Sequence, residues 1–393
     1  MQIGTKWRLG ALATVAAAAV VLAGGTAAIA DPTGTPSYRT LSGVGSDTTQ
    51  DLNNGLSSVI TYGGSLVAGS YDAINPTTGA VHDPITTKSG GTIFDRPNGS
   101  GEGLTALKAA KSGGTLQWRG KTLSATDIQF SRSSSGATWV AGGGGAYSYI
   151  PLAEDAVSFA VHTSNTTIPR DLTKAQLTAI YSAANGANVT INGTSYKVGT
   201  PGTAGVQITP FIPQSGSGTR SFWQTQLVGA GVAFGPAVTD TYSGGSVQEH
   251  DGSVLAALPT TAIVPFSIAQ WIAQSNKATI QANYPGVTIN DRRNGAVLGK
   301  VGGISPTTVS NTLNTAFPIA RPVFTVVKAS ELATNPQLTA VFKGSTASAY
   351  TVDRPGPSTA LVITDFGFGS LAGGVNIGGV TYNPGDTTSF TIN

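Results

Sequence analysis

One unit recurs along this chain and limits what it can fold into: a short apolar strand, a turn of glycines with hydroxyl or acidic residues, then an amphipathic helix. Strands that alternate with helices in this way call for an α/β architecture. Residues 40–45 read as a strand ending in glycines, and a helix follows with Leu52, Leu56, Val59 and Ile60 on one face. Asp47 and Gln50 stand at capping-box spacing ahead of it. The unit returns at 98–103 before Leu104 and Leu107, at 214–219 before Phe222, Trp223 and Leu227, and at 249–253 before Val254, Leu255 and Leu258. A further helix, capped by Thr173 and Gln176, presents Leu177, Ile180 and Tyr181 without the glycine turn. Glycine-rich stretches near 142–145 and 193–205 read as surface loops, and 361–363 and 390–392 as short β-like runs.

A helix start exposes unpaired N–H groups and the positive end of the macrodipole, so it can bind an oxyanion without a full positive charge. Glycine allows close backbone approach, and Ser or Thr hydroxyls add donors. Any one such start is accounted for by ordinary capping. Four in one chain favour an anion site.

The first thirty residues have the layout of a secretory leader: Lys6 and Arg8, an apolar stretch over 9–23, and Ala28-Ile29-Ala30 as a cleavage site. We assign 1–30 as a signal peptide and 31–37 as a linker, and expect a secreted, extracellular protein. The apolar stretch is too short for a membrane-spanning helix, and no second candidate follows. The chain has no cysteine, which excludes disulfides and a cysteine-linked lipid anchor, so no membrane anchor of its own is expected. Lys and Arg number 22 against 19 Asp and Glu. Removing the leader takes away Lys6 and Arg8 and no acid, which leaves a near-neutral chain without the basic face of a nucleic-acid binder.

Catalytic and metal chemistry finds little footing. The three histidines, His82, His162 and His250, are far apart. Neither an HExxH pair, a G-x-S-x-G elbow nor a GxxxxGK[ST] loop occurs. No cofactor and no metal are expected, and the chain reads as a binder rather than an enzyme.

The order of the motifs carries a resemblance. Residues 206–208 followed by Ser215-Gly216-Ser217-Gly218-Thr219 and Phe222 resemble the strand–SGT–helix signature of phosphate-binding proteins of phosphate ABC transporters. Gly43-Val44-Gly45-Ser46 looks like that family's first glycine-rich loop, Gly99-Ser100-Gly101 like its second, and Phe130-Ser131-Arg132-Ser133 like its third. Residues 151–161 and 172–181 look like its crossover strand and next helix, 316–319 with 324–327 like its return strand, and Asp251-Gly252 like a further loop. The similarity covers roughly residues 40–345, and its wording is similar to a secreted actinobacterial branch.

The resemblance implies a two-lobed periplasmic-binding-protein-like type II fold, with mixed sheets flanked by helices and a ligand cleft between the lobes. Lobe I would take residues 38–162, lobe II 163–314, and 315–393 would return to lobe I and end in a β-rich extension. It implies donors from Ser100, Gly101, Ser217, Gly218 and Thr219, with contacts from the loops of Asp47 and Thr48, of Ser131 and Arg132, and of Asp251. The implied ligand is phosphate or a similar oxyanion, handed to an ABC permease by a monomer.

Two departures stand out. The family's arginine four residues before the SGT serine is here Pro213, and its third-loop aspartate has Arg132 as the nearest counterpart. We therefore expect an exchange in which Arg132 supplies the cation and Asp47 the proton acceptor. Against it stand a capping role for Asp47 and a surface ion pair for Arg132. Arg220 is a reserve cation, His250 a loop residue beside the site, and Arg96 and Arg321 have no assigned role. A secreted phosphate-ester hydrolase on the same fold, and an extracellular binding protein that serves no transporter, remain the alternatives.

Overall fold

The computed structural model describes residues 38–393, so the expected signal peptide and linker lie outside the described residues. In chain order the elements that place the site are β1 (Leu41–Gly45), a 3-10 turn (Asp47–Thr49), α1 (Gln50–Val59), β2 (Ala68–Ser70), α2 (Ser100–Lys111), β3 (Phe130–Ser133) and β4 (Tyr147–His162). Then come α3 (Lys174–Tyr181), β5 (Thr209–Pro210), α4 (Gly218–Leu227), α5 (Ser253–Ala257), β6 (Ala262–Ser267), α6 (Ile268–Ser275) and β7 (Ala296–Leu298). Last are β8 (Ala320–Lys328), α7 (Pro336–Phe342), α8 (Val362–Asp365) and β9 (Thr391–Ile392).

One mixed sheet runs β5-β6-β4-β8-β3-β1-β2, with β7 and β9 also paired to β4. β1 is parallel to β2 and β3, while β8 is antiparallel to both β3 and β4. β4 is long enough to serve two halves. Its first part pairs with β8, and its last residues pair with β6 and β7. Helices cover each half separately. Leu41, Leu52 and Leu56 share a core with Leu338 and Phe342, and Leu177, Ile180 and Trp223 share another with Ile263. α6 joins the two: Ala269 and Ala273 face the first core, Ile268 and Ile272 the second, at the i, i+4 spacing of two adjacent helix stripes. This is the two-lobed mixed α/β fold that the sequence led us to expect.

Local rules explain most elements. The Thr173 hydroxyl accepts from Gln176 N at 3.2 Å while Gln176 accepts from Thr173 N at 2.8 Å, a complete capping box. Asp47 and Gln50 do not form one. Asp47 pairs with Arg292, and the Gln50 side chain accepts from Ala73 N, because each is claimed by a tertiary partner. Gly45 turns the chain at φ +113°, and a Cβ there would lie 2.8 Å from the Arg132 carbonyl oxygen.

Two other expectations change. The 193–205 stretch is not all loop, since Thr194–Val198 forms a hairpin with Ala187–Ile191. Residues 361–363 are not a strand. Val362 and Ile363 open the short helix α8 and bury themselves beside Leu52 and Leu56. Beyond residue 352 the chain adds, besides α8, a hairpin of Val375–Ile377 with Val380–Tyr382 and the strand β9. α7 and α8 fill the core of the first half, and β9 pairs with the start of β4.

Candidate anion-binding site

The site forms where the two halves meet, from side chains at strand ends and helix starts. The 3-10 turn after β1 delivers Thr48, completely buried. Its Oγ1 stands 3.0 Å from Ser134 Oγ, 3.3 Å from Thr219 Oγ1, 3.1 Å from Glu249 Oε2 and 3.0 Å from His250 Nε2. Arg321 Nη2 approaches it at 3.4 Å. A hydroxyl has one proton and two lone pairs, so these contacts compete. The arrangement is one of hydroxyls, a guanidinium, an imidazole and one accepting carboxylate gathered round a point rather than a set of exclusive pairs.

Two helix starts face each other across this point. The N-cap of α2 is Gly99 and that of α4 is Ser217, whose side chain accepts from Arg220 N. Gly101 N donates to the Gly216 carbonyl at 3.1 Å, tying the two turns together across the halves. Ser100 Oγ lies 3.3 Å from Ser134 Oγ and accepts from Ser134 N at 3.0 Å. Gly218 leaves no room for anything larger: a Cβ would fall 2.3 Å from Ser100 Oγ and 2.4 Å from Ser134 Oγ. Ser46 adds its hydroxyl 3.0 Å from Ser134 Oγ.

The charges come from elsewhere in the chain. Arg321, on β8, donates from Nε and Nη2 to Asp155 Oδ2 at 3.0 and 2.8 Å, from Nη1 to the Ser134 carbonyl, and from Nη2 to Thr219 Oγ1 at 3.1 Å. Asp155, on β4, spends its other oxygen on Ser267 Oγ and Ala269 N. The β4–β8 ladder shifts register between Val323 and Phe324, the kind of irregularity that re-aims side chains beside a site. Glu249 is completely buried; its Oε2 accepts from Thr48 and Thr219, and its Oε1 has no partner in hydrogen-bond geometry. Burial pushes the Glu249 carboxyl up, but the hydrogen bonds from His250 and the Ser217 hydroxyl and the charge of Arg321 outweigh it and hold it below the usual carboxylate range. His250 sits at φ +54° with Nδ1 accepting from Ser267 N at 3.2 Å, which leaves Nε2 as the protonated nitrogen. That nitrogen therefore donates toward Thr48 and Glu249.

Of the residues expected from sequence, Thr48, Ser100, Gly101, Ser217, Gly218 and Thr219 come together here. Four others do not. Arg132 is buried, but its guanidinium donates to the carbonyls of Ser46, Gly45 and Gly43 and to Ser70 Oγ at 2.9–3.3 Å. It fastens the first loop and points its donors away from the cluster, so it is neither the anion's cation nor a surface ion pair. Asp47 is held by Arg292 Nη2 at 2.8 and 2.9 Å and is no proton acceptor for the cluster. Asp251 accepts from Ser253 N and Asn294 Nδ2 outside the cluster, and the Ser131 hydroxyl is buried on β3 without a partner. The reserve cation Arg220 is taken by Asp240 at 2.6 Å. Ser134, Asp155, Glu249 and Arg321 were missed. Ser134 lies one residue beyond the third-loop motif, whereas Arg321, beside Pro322, had no assigned role. Among the described residues no cluster suits a metal ion, and no helix is long and apolar enough to cross a membrane.

A family model described as PBP superfamily domain matches residues 32–343. No curated protein sequence matches the chain. Among solved structures, an ABC-type phosphate transport receptor from Vibrio cholerae is 14% identical, covering 84% of this chain and 99% of that one at a TM-score of 0.42. PstS from Borrelia burgdorferi is 15% identical, covering 84% and 98% at 0.39. A phosphate-binding protein from Stenotrophomonas maltophilia is 13% identical, covering 90% and 90% at 0.40. Membership rests on the family model, which spans most of the chain and both halves of the sheet: the protein belongs to the PBP superfamily.

Proposed function

We propose that this protein is an extracellular solute-binding protein that captures phosphate, or a similar protonated tetrahedral oxyanion, between its lobes for an ABC importer. One observation carries the reading: the hydroxyls of Thr48, Ser100, Ser134, Ser217 and Thr219, two helix starts and the Arg321 guanidinium converge on one buried point from both halves. Fixed dipoles in a water-excluded site stabilise an anion with little reorganisation. Family membership and the motif order of the SGT loop support the same ligand class, and the leader-like first thirty residues support capture outside the cell. In this reading 38–162 with 315–393 form one lobe and 163–314 the other, and a monomer opens and closes about β4 and β8.

Glu249, in place of Asp47, is the carboxylate that selects. Ionised, with Oε1 unpaired, it accepts a proton-bearing oxygen and repels an oxyanion that has none. Arg321, in place of Arg132, is the cation. The hydrolase alternative loses ground on His250. A general base needs an open lone pair on the nitrogen that meets the nucleophile, and here Nε2 carries the proton.

Calorimetric titration at pH 7 tests the reading. Wild-type protein should bind phosphate and reject sulfate. Glu249→Gln should bind sulfate within about tenfold of phosphate, a change of roughly 1.4 kcal/mol per decade. Absence of any phosphate binding by the wild type would remove this function.

A further inference from the structure

A pocket of about 420 Å³ opens directly beside the hydroxyl cluster. Ser134 and Arg321 belong to both, forming its inner end, and its walls are Trp139, Phe222, Phe324 and Tyr382. The guanidinium carbon of Arg321 lies 5.4 Å from the Phe222 ring centre, and Trp139 packs edge-on against Phe324. The lining comes from both halves: Trp139 from the loop after β3, Phe222 from α4, and Phe324 from the crossing strand β8.

A bare tetrahedral oxyanion has no use for such a space. Small-molecule sites run roughly 300–1,000 Å³, with apolar and aromatic walls and a few placed polar groups. This pocket has that size, an aromatic wall, and the Arg321 guanidinium and Ser134 at the end that meets the cluster. We propose that the physiological ligand is an oxyanion monoester or phosphonate carrying an aromatic or comparable apolar substituent. Its charged head would meet Ser134, Thr219 and Arg321, and its ring would lie between Trp139 and Phe222. This rests on the oxyanion reading of the cluster and narrows its ligand class. The substituent leaves through the Ser134 side of the cluster, where the third loop and α4 face each other across the mouth. Offset or edge contacts between rings then add to the area removed from water, and closure of the lobes covers both head and ring at once.

The test compares three probes at pH 6, where about half of a phosphomonoester carries one proton and meets Glu249 as phosphate does. Inorganic phosphate reports on the cluster alone. Methyl phosphate and phenyl phosphate share a head group and differ in the ring. Phenyl phosphate should bind at least tenfold tighter than methyl phosphate. Thr225→Trp, which fills the mouth from the exposed face of α4, should abolish that ratio and leave inorganic phosphate binding unchanged. Trp139→Ala should reduce the ratio as well. Equal binding of the two esters, or exclusion of both while inorganic phosphate binds, overturns this inference and leaves the proposed function standing. Failure of inorganic phosphate together with both esters overturns both.

Discussion

Two arginines decide how this site is read. Arg132 and Arg321 are both buried, yet one spends its guanidinium on backbone carbonyls and the other on the cluster. Arg132→Ala would take the guanidinium donors from the carbonyls of Gly45 and Ser46, at roughly 1–3 kcal/mol for each buried group left unpaired, while Gly43 keeps its bond from Tyr71 N. Its expected outcome is a large fall in melting temperature. For Arg321 a single truncation would leave Asp155 as an uncompensated buried charge. The neutral pair Arg321→Gln with Asp155→Asn avoids that. It should fold, with a circular dichroism spectrum like the wild type, and bind phosphate at least 100-fold more weakly. Wild-type affinity in the double variant would show that Arg321 is not the cation. The sequence disclosed the dipolar part of the site because a glycine–hydroxyl turn and its helix are neighbours in the chain. It hid the charged part because Glu249, Arg321 and Asp155 arrive from separate strands and loops. Nothing local tells an arginine that braces carbonyls from one that faces a ligand.

At the scale of elements, β4 carries a group that the cluster does not use. Glu154 is 3% exposed beside Asp155; burial, and then the Asp155 charge, push its carboxyl up to about 7. The folded chain therefore keeps a proton that the unfolded chain gives up above about pH 4.5. Between these values the native state binds more protons, so stability falls as pH rises through the window and stays reduced above it. Glu154→Gln should melt at a higher temperature than the wild type at pH 8 and close to it at pH 4, as read by thermal denaturation. A variant that melts lower at pH 8 would contradict the assignment. Elements were legible where one local rule sufficed, as in the capping box of α3. They were misread where tertiary burial overrode propensity, as at Val362 and Ile363, whose β-branched side chains serve a helix because the first core needs them there.

For the molecule as a whole, closure depends on how near the two helix starts can come. Gly218 is the contact that sets this limit, since a methyl group there would strike the hydroxyls of Ser100 and Ser134. Gly218→Ala should hold the lobes apart without disturbing either core. Small-angle scattering should then give a radius of gyration that phosphate does not reduce, while the wild type contracts on adding phosphate. Contraction of the variant equal to the wild type would place the limit elsewhere.

The strand order also sets a timetable. β8 lies between β4 and β3, and β9 pairs with the opening residues of β4. Until residues 320–328 have left the ribosome, β3 has no neighbour on that side and the first-made half has a gap in its sheet. The half made in the middle meets no such delay, because β5, β6, β7 and the far end of β4 all lie within residues 157–298. The N-terminal third of this protein thus cannot complete its sheet until a strand arrives that the chain supplies almost two hundred residues later.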